Sequence, residues 1–230
     1  MKVFKSTKGP FSEQPFYSSK EIETLCIDEL RAAGLLPDTP APIRIDRFIE
    51  KRFGRAHSYA DLEEGVLGLT VFGRHGVQEI AVAESLEDEG TKSAERLLRT
   101  TLAHEAGHGL LHTHLFVMEN SQPLFGDWSN RQRPTVLCRD TISRAVYKGN
   151  WWEYQANMVM GAILMPKHLV EQAVQPFLAS SGALGLAVLN EGSTEPAART
   201  LAELFDVNPR AVRIRLSLLF PSNRGGQLSL

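Results

Sequence analysis

The chain has seven histidines, and two of them stand in the run His104-Glu105-Ala106-Gly107-His108. Residues four apart on a helix share a face, with Cβ atoms about 5–6 Å apart. Two imidazoles so placed can converge on one zinc ion at about 2.0–2.1 Å each. Glu105, beside the first of them, can reach a water that zinc acidifies and take its proton without binding the ion. The alternative for these residues is an amphipathic helix carrying surface histidines. The flanks favour the first reading, because Leu102, Ala103, Leu110 and Leu111 would dock the helix into a core. Gly107 and Gly109 each cost about 1 kcal/mol of helix propensity relative to alanine. That cost makes sense where something must approach the helix closely.

A structural zinc closes on four protein ligands, whereas a catalytic one keeps three and a water. The best downstream candidate for the third is Glu153, in Trp151-Trp152-Glu153-Tyr154-Gln155-Ala156-Asn157. Its alternative role is a first-turn glutamate that complements the helix dipole. Asn157 lies one turn on, on the same face, where its amide could orient a ligand imidazole. His112 continues the row of His104 and His108; it either supports polar contacts near the metal or sits at the helix end facing the dipole.

Several elements must position these groups. Ser18 and Glu21 form a capping box that starts a first helix, with Ile22, Leu25, Cys26 and Leu30 on one face and Gly34 as its stop. A short second helix is expected over Ile43–Arg52. Gly65–Gly73 and Val77–Ala83 are β-rich and read as a hairpin about Arg74-His75-Gly76, with the second strand an edge able to pair with an extended peptide. Glu84–Lys92 reads as a loop. The helix carrying the histidines is expected over Ser93–His112. The next runs from Trp151 to Met165, capped by Asn150 and ended by Pro166. A final pair covers Pro196–Phe205 and Pro209–Leu219 around the turn Asp206-Val207-Asn208, with Asn208 as N-cap and Pro209 at the first helical position.

The set Leu102-Ala103-His104-Glu105-x-Gly107-His108, then Glu153-x-Gln155-Ala156-Asn157 and Leu164-Met165-Pro166, resembles the ImmA/IrrE family of metallopeptidases. The resemblance implies His104, His108 and Glu153 as zinc ligands and Glu105 as general base. It implies a protein substrate, commonly a helix-turn-helix repressor. The implied fold class is α+β: a mostly helical zincin-like core, a small antiparallel sheet before the HExxH helix, and a C-terminal helix-turn-helix-like pair. The expected organisation is a mobile lead-in over 1–17 and a metallopeptidase core over 18–178. A helical subdomain over 179–220 and a tail over 221–230 follow. The stretch 115–150 is longer than the family pattern, and reads as an irregular insertion holding Trp128, Arg131, Arg133, Arg139 and Arg144.

Composition narrows the classes. With 43% hydrophobic and 23% charged residues and a net charge of −2, the chain is ordinary globular material. It lacks the basic excess of a general nucleic-acid binder. Arg210, Arg213 and Arg215 on the last helix keep open a second reading, a DNA-binding or repressor-binding regulator with a non-catalytic metal site. Packing of that helix is the favoured role for them, and direct nucleic-acid binding is not expected. No apolar run reaches the roughly 18 residues of a membrane span. The start carries no apolar secretory segment, so a cytoplasmic setting is expected, without membrane contact. Cys26 and Cys138 form no CxxC pattern and suggest no thiolate zinc site.

Overall fold

A computed structural model describes residues 2–5, 13–88, 90–115, 135–139, 150–181 and 186–221. The fold is α+β. Helix α1 (Ser19–Ala32) begins on the expected capping box: the Ser18 hydroxyl accepts from the Glu21 amide, and the Glu21 carboxylate accepts from the Ser18 amide. Gly34, at φ +64°, ends it in the left-handed conformation, where its amide and that of Leu35 satisfy the carbonyls of Arg31 and Leu30. Helix α2 (Ile45–Phe53) starts two residues later than expected.

The sheet differs from a simple hairpin. Strands β4 (Val66–Gly73) and β5 (Gly76–Ala83) do pair antiparallel across Arg74 and His75. β3 (Ser58–Ala60) adds parallel to β5, and β6 (Thr135–Arg139) adds antiparallel to β4. The order is β3-β5-β4-β6, a mixed four-stranded sheet, so β5 is an interior strand and the expected peptide-accepting edge is not there. β6 comes from the insertion 115–150, in which the sequence predicts no regular element; its residues 116–134 and 140–149, with Trp128, Arg131, Arg133 and Arg144, lie outside the described residues.

Helix α3 (Ser85–Asp88) occupies the stretch read as a loop. Helix α4 (Lys92–Leu111) carries the histidines and is capped by the Thr91 hydroxyl, which accepts from the Ala94 amide. Helix α5 (Trp151–Leu164) lies against α4 and α1. α6 (Lys167–Val174) and a 3₁₀ turn (Gln175–Phe177) lead to the two-stranded ribbon of β7 (Leu178–Ser181) and β8 (Leu186–Leu189). Then come α7 (Glu191–Phe205) and α8 (Pro209–Leu219). α7 starts before Pro196: the Asn190 carbonyl accepts from Ser193 and Thr194, so the proline sits in the second turn instead of opening the helix.

A main apolar core runs through most of these elements, and Phe72, Leu115 and Trp151 form a second, smaller cluster. Ile22, Phe48, Ile80, Leu102, Ile163, Leu201, Phe205 and Leu216 all belong to the main core. The C-terminal pair, expected as a subdomain from 179, therefore shares its buried face with the rest, and the core does not divide at 178. Within the stretch 1–17, β1 (Lys2–Lys5) and β2 (Glu13–Phe16) pair antiparallel. Among the described residues no helix is long and apolar enough to cross a membrane.

Candidate metal centre

Helices α4 and α5 meet closely because Gly107 has no side chain. A Cβ there would stand 2.9 Å from the Ala156 carbonyl oxygen and 3.1 Å from its Cα. The α5 backbone thus rests on the α4 backbone one residue before His108. This contact brings the first turn of α5, with Glu153, over the histidine face. Gly109 serves a different neighbour, since a Cβ there would meet the Phe53 ring and Val77.

His104, His108 and Glu153 are brought together as the sequence predicts, one ligand atom from each lying within 4.8 Å of the others. The two Nε2 atoms are 3.0 Å apart. Glu153 carboxylate oxygens lie 3.2 Å from His104 Nε2 and 3.6 Å from His108 Nε2. Tetrahedral zinc with ligands at about 2.0–2.1 Å separates neighbouring donors by roughly 3.3 Å, and the three distances bracket that value. Both imidazoles are fully buried, whereas Glu153 keeps 15% of its side-chain surface, so the opening to solvent is on its side. Two imidazole nitrogens and a carboxylate oxygen are donors that zinc, a borderline-soft ion, accepts readily.

The far sides of the rings are held too. His104 Nδ1 lies 3.1 Å from the Asn157 side-chain oxygen and donates to it, which leaves the Nε2 lone pair for a metal. His108 Nδ1 lies 2.9 Å from His112 Nδ1. For His108 to offer Nε2 to a metal, its Nδ1 carries the hydrogen and donates to His112. His112 then carries its own hydrogen on Nε2 and donates to the Gln155 side-chain oxygen at 3.1 Å. The Gln155 amide nitrogen donates in turn to the Pro15 carbonyl at 2.7 Å. Every member of this chain is satisfied with one consistent set of tautomers, from the metal face to strand β2. His112 stands at the end of α4 as its C-cap, as one reading of the sequence has it, and its ring bridges His108 and Gln155 and stands edge-to-face with Trp151, centroids 5.5 Å apart.

Burial sets the charge state. Desolvation, then the neighbouring rings of His104 and His112, hold His108 neutral well below the usual imidazole range. His112 is pushed down to about 3, by burial first and against the opposing pull of its Gln155 hydrogen bond. Neutral imidazole is the form that binds a metal.

Glu105 points to the sheet side of α4. The buried Thr70 hydroxyl on β4 donates to its carboxylate at 2.6 Å. Beside it, Gly68 lets the strand lie against the helix, since a Cβ there would meet Thr101 at 2.7 Å and a Glu105 carboxylate oxygen at 3.1 Å. Sequence reasoning missed Thr70 and the part played by Gln155. The signal for the first was a lone hydroxyl on the buried alternation of an apolar strand. The signal for the second was a buried amide between two residues already assigned to the site. Tyr154, between Glu153 and Gln155, turns outward and is 40% exposed. No protein-family model matches the chain, and no curated protein is similar to it.

Proposed function

We propose that this chain is a zinc-dependent endopeptidase that hydrolyses a peptide bond in a protein substrate. The observation that carries the reading is the meeting of His104, His108 and Glu153, with Glu105 next in sequence to the first of them. Among the described residues the group has three protein donors, the number a hydrolytic site uses, whereas a structural site closes on four. When bound, zinc supplies a Lewis acid for the scissile carbonyl and makes water more acidic. Glu105 serves as general base: its carboxylate, aimed by the Thr70 hydroxyl, takes the proton of the attacking water and delivers it to the leaving amine. Asn157 and His112 keep the two rings turned to the ion. The resemblance to the ImmA/IrrE family supports a helix-turn-helix transcriptional repressor as the substrate class.

The test compares the wild-type chain with Glu105→Gln on a panel of such repressors. The expected result is a loss of at least about 100-fold in kcat/KM with zinc content unchanged. Equal cleavage by both chains would remove the mechanism. The regulator reading needs Arg210, Arg213 and Arg215 on DNA. Two of them are engaged inside the chain, Arg213 with Glu195 and Arg215 with Glu23, which weighs against it.

A further inference from the structure

The insertion supplies β6, and where that strand lies has a consequence for how a substrate reaches the site. β4 is the strand that handles Glu105, through Thr70 and Gly68. One edge of β4 is taken by β5, whose other edge is taken by β3. The remaining edge is covered by β6, antiparallel, with Thr70 opposite Val136, Leu69 opposite Leu137 and Gly68 opposite Cys138. The β6 backbone therefore runs about 4.8 Å outside the strand that positions the carboxylate. It also packs against α4 itself.

We propose that the β4 edge is the rim on which an extended substrate peptide adds as a strand, and that β6 is an internal occupant which must leave before the peptide can bind. The proposal rests on the peptidase reading. Strand addition uses main-chain N–H and C=O groups, so one edge can accept different sequences in turn, the chain's own segment or a foreign one. β6 is five residues long, and its pairing with β4 slips between Val66 and Gly68. A short, irregular strand loses few ladder bonds on leaving. It is tethered at both ends, to α4 through residues 116–134 and to α5 through 140–149, so it competes at an effective concentration in the millimolar range, roughly, whatever the protein concentration. A substrate gains access by out-competing it, or after another event draws the insertion away.

The experiment measures binding apart from turnover. In a Glu105→Gln background, which keeps the peptide intact, Val136 and Leu137 are both changed to Pro. Successive N–H groups of a strand point to opposite sides, so the pair removes whichever of the two bonds β4. A second variant replaces residues 134–140 with Gly and Ser at equal length. The probe is a fluorescein-labelled synthetic peptide of residues 133–141, followed by anisotropy, with zinc content and circular dichroism as folding checks. The expected result is binding about tenfold tighter to both variants than to the chain with β6 intact. Equal affinity for all three chains, or no binding to a folded variant, would overturn the proposal. Turnover is read separately with Glu105 restored. A chain that binds the peptide but cleaves none of the repressors refutes the peptidase reading and leaves β6 as the occupant. A chain that cleaves equally fast with and without β6 refutes the occupant and leaves the peptidase.

Discussion

Glu153 is the least buried of the three candidate ligands, and removing it leaves two imidazoles facing each other at 3.0 Å. Glu153→Ala is therefore expected to hold little zinc where the wild-type chain holds one equivalent, by metal analysis of the purified proteins; full occupancy in the variant would exclude the carboxylate as a ligand. His112 acts at one remove. His112→Phe keeps the volume but strips the acceptor from His108 Nδ1 and the donor from Gln155, leaving both buried groups short of a partner. Losing such a supporting partner typically weakens metal affinity by about 10–100-fold. Competition with a chromophoric chelator measures this, and an unchanged affinity would reduce the His112 contact to packing. Thr70→Val should leave metal affinity alone and lower kcat, because the hydroxyl touches the carboxylate and the backbone carbonyl of Glu105 and not the ligand set.

At the scale of elements, the contact that fixes the site is backbone on backbone at Gly107. Gly107→Ala places a methyl against the Ala156 carbonyl and Val159. Overpacking of this kind costs about 1–3 kcal/mol, which denaturant titration reads, and it pushes α5 away, so zinc affinity falls with stability. A gain in stability from better helix propensity would contradict the close approach. Most of this level was legible in the sequence. The capping box of α1, the hairpin of β4 and β5, the span of α4 and the Asn208 cap of α8 follow from local chemistry that neighbours do not override. What escaped was non-local. β6 pairs with a strand some 65 residues earlier, and no periodicity in its own five residues could reveal that. The bond from Gln155 to Pro15 escaped for the same reason, whereas the pairing of β1 with β2 joins two strands of only four residues each, too short to show a strand period. Of the site, the His104 and His108 pair was legible because metal geometry dictates residue type and spacing, and Glu153 because the motif around it resembles a known family's. Thr70 was not, because a hydroxyl in an apolar strand has many possible partners.

For the molecule as a whole, the C-terminal pair is fastened by charges of two kinds. Arg215 is buried, donates to the Met165 carbonyl at the end of α5 and forms a two-pronged pair with Glu23 of α1. Removing one partner of such a pair strands the other charge, so Arg215→Met is expected to destabilise the chain by about 3–5 kcal/mol in chemical unfolding. Glu195 forms an exposed clamp instead. Hydrogen bonds from Arg213 and Arg199 hold its carboxyl down to about 2. A carboxyl depressed on folding stabilises the fold above its unfolded value and loses that contribution as pH falls towards 2. The acid limb of the stability profile should therefore be shallower in Glu195→Gln, by a small amount because the clamp is solvated. Finally, the Trp151 ring that leans on His112 lies two contacts from His108, a candidate metal ligand. Titrating zinc into metal-free protein should therefore change indole emission, giving a label-free optical readout of loading.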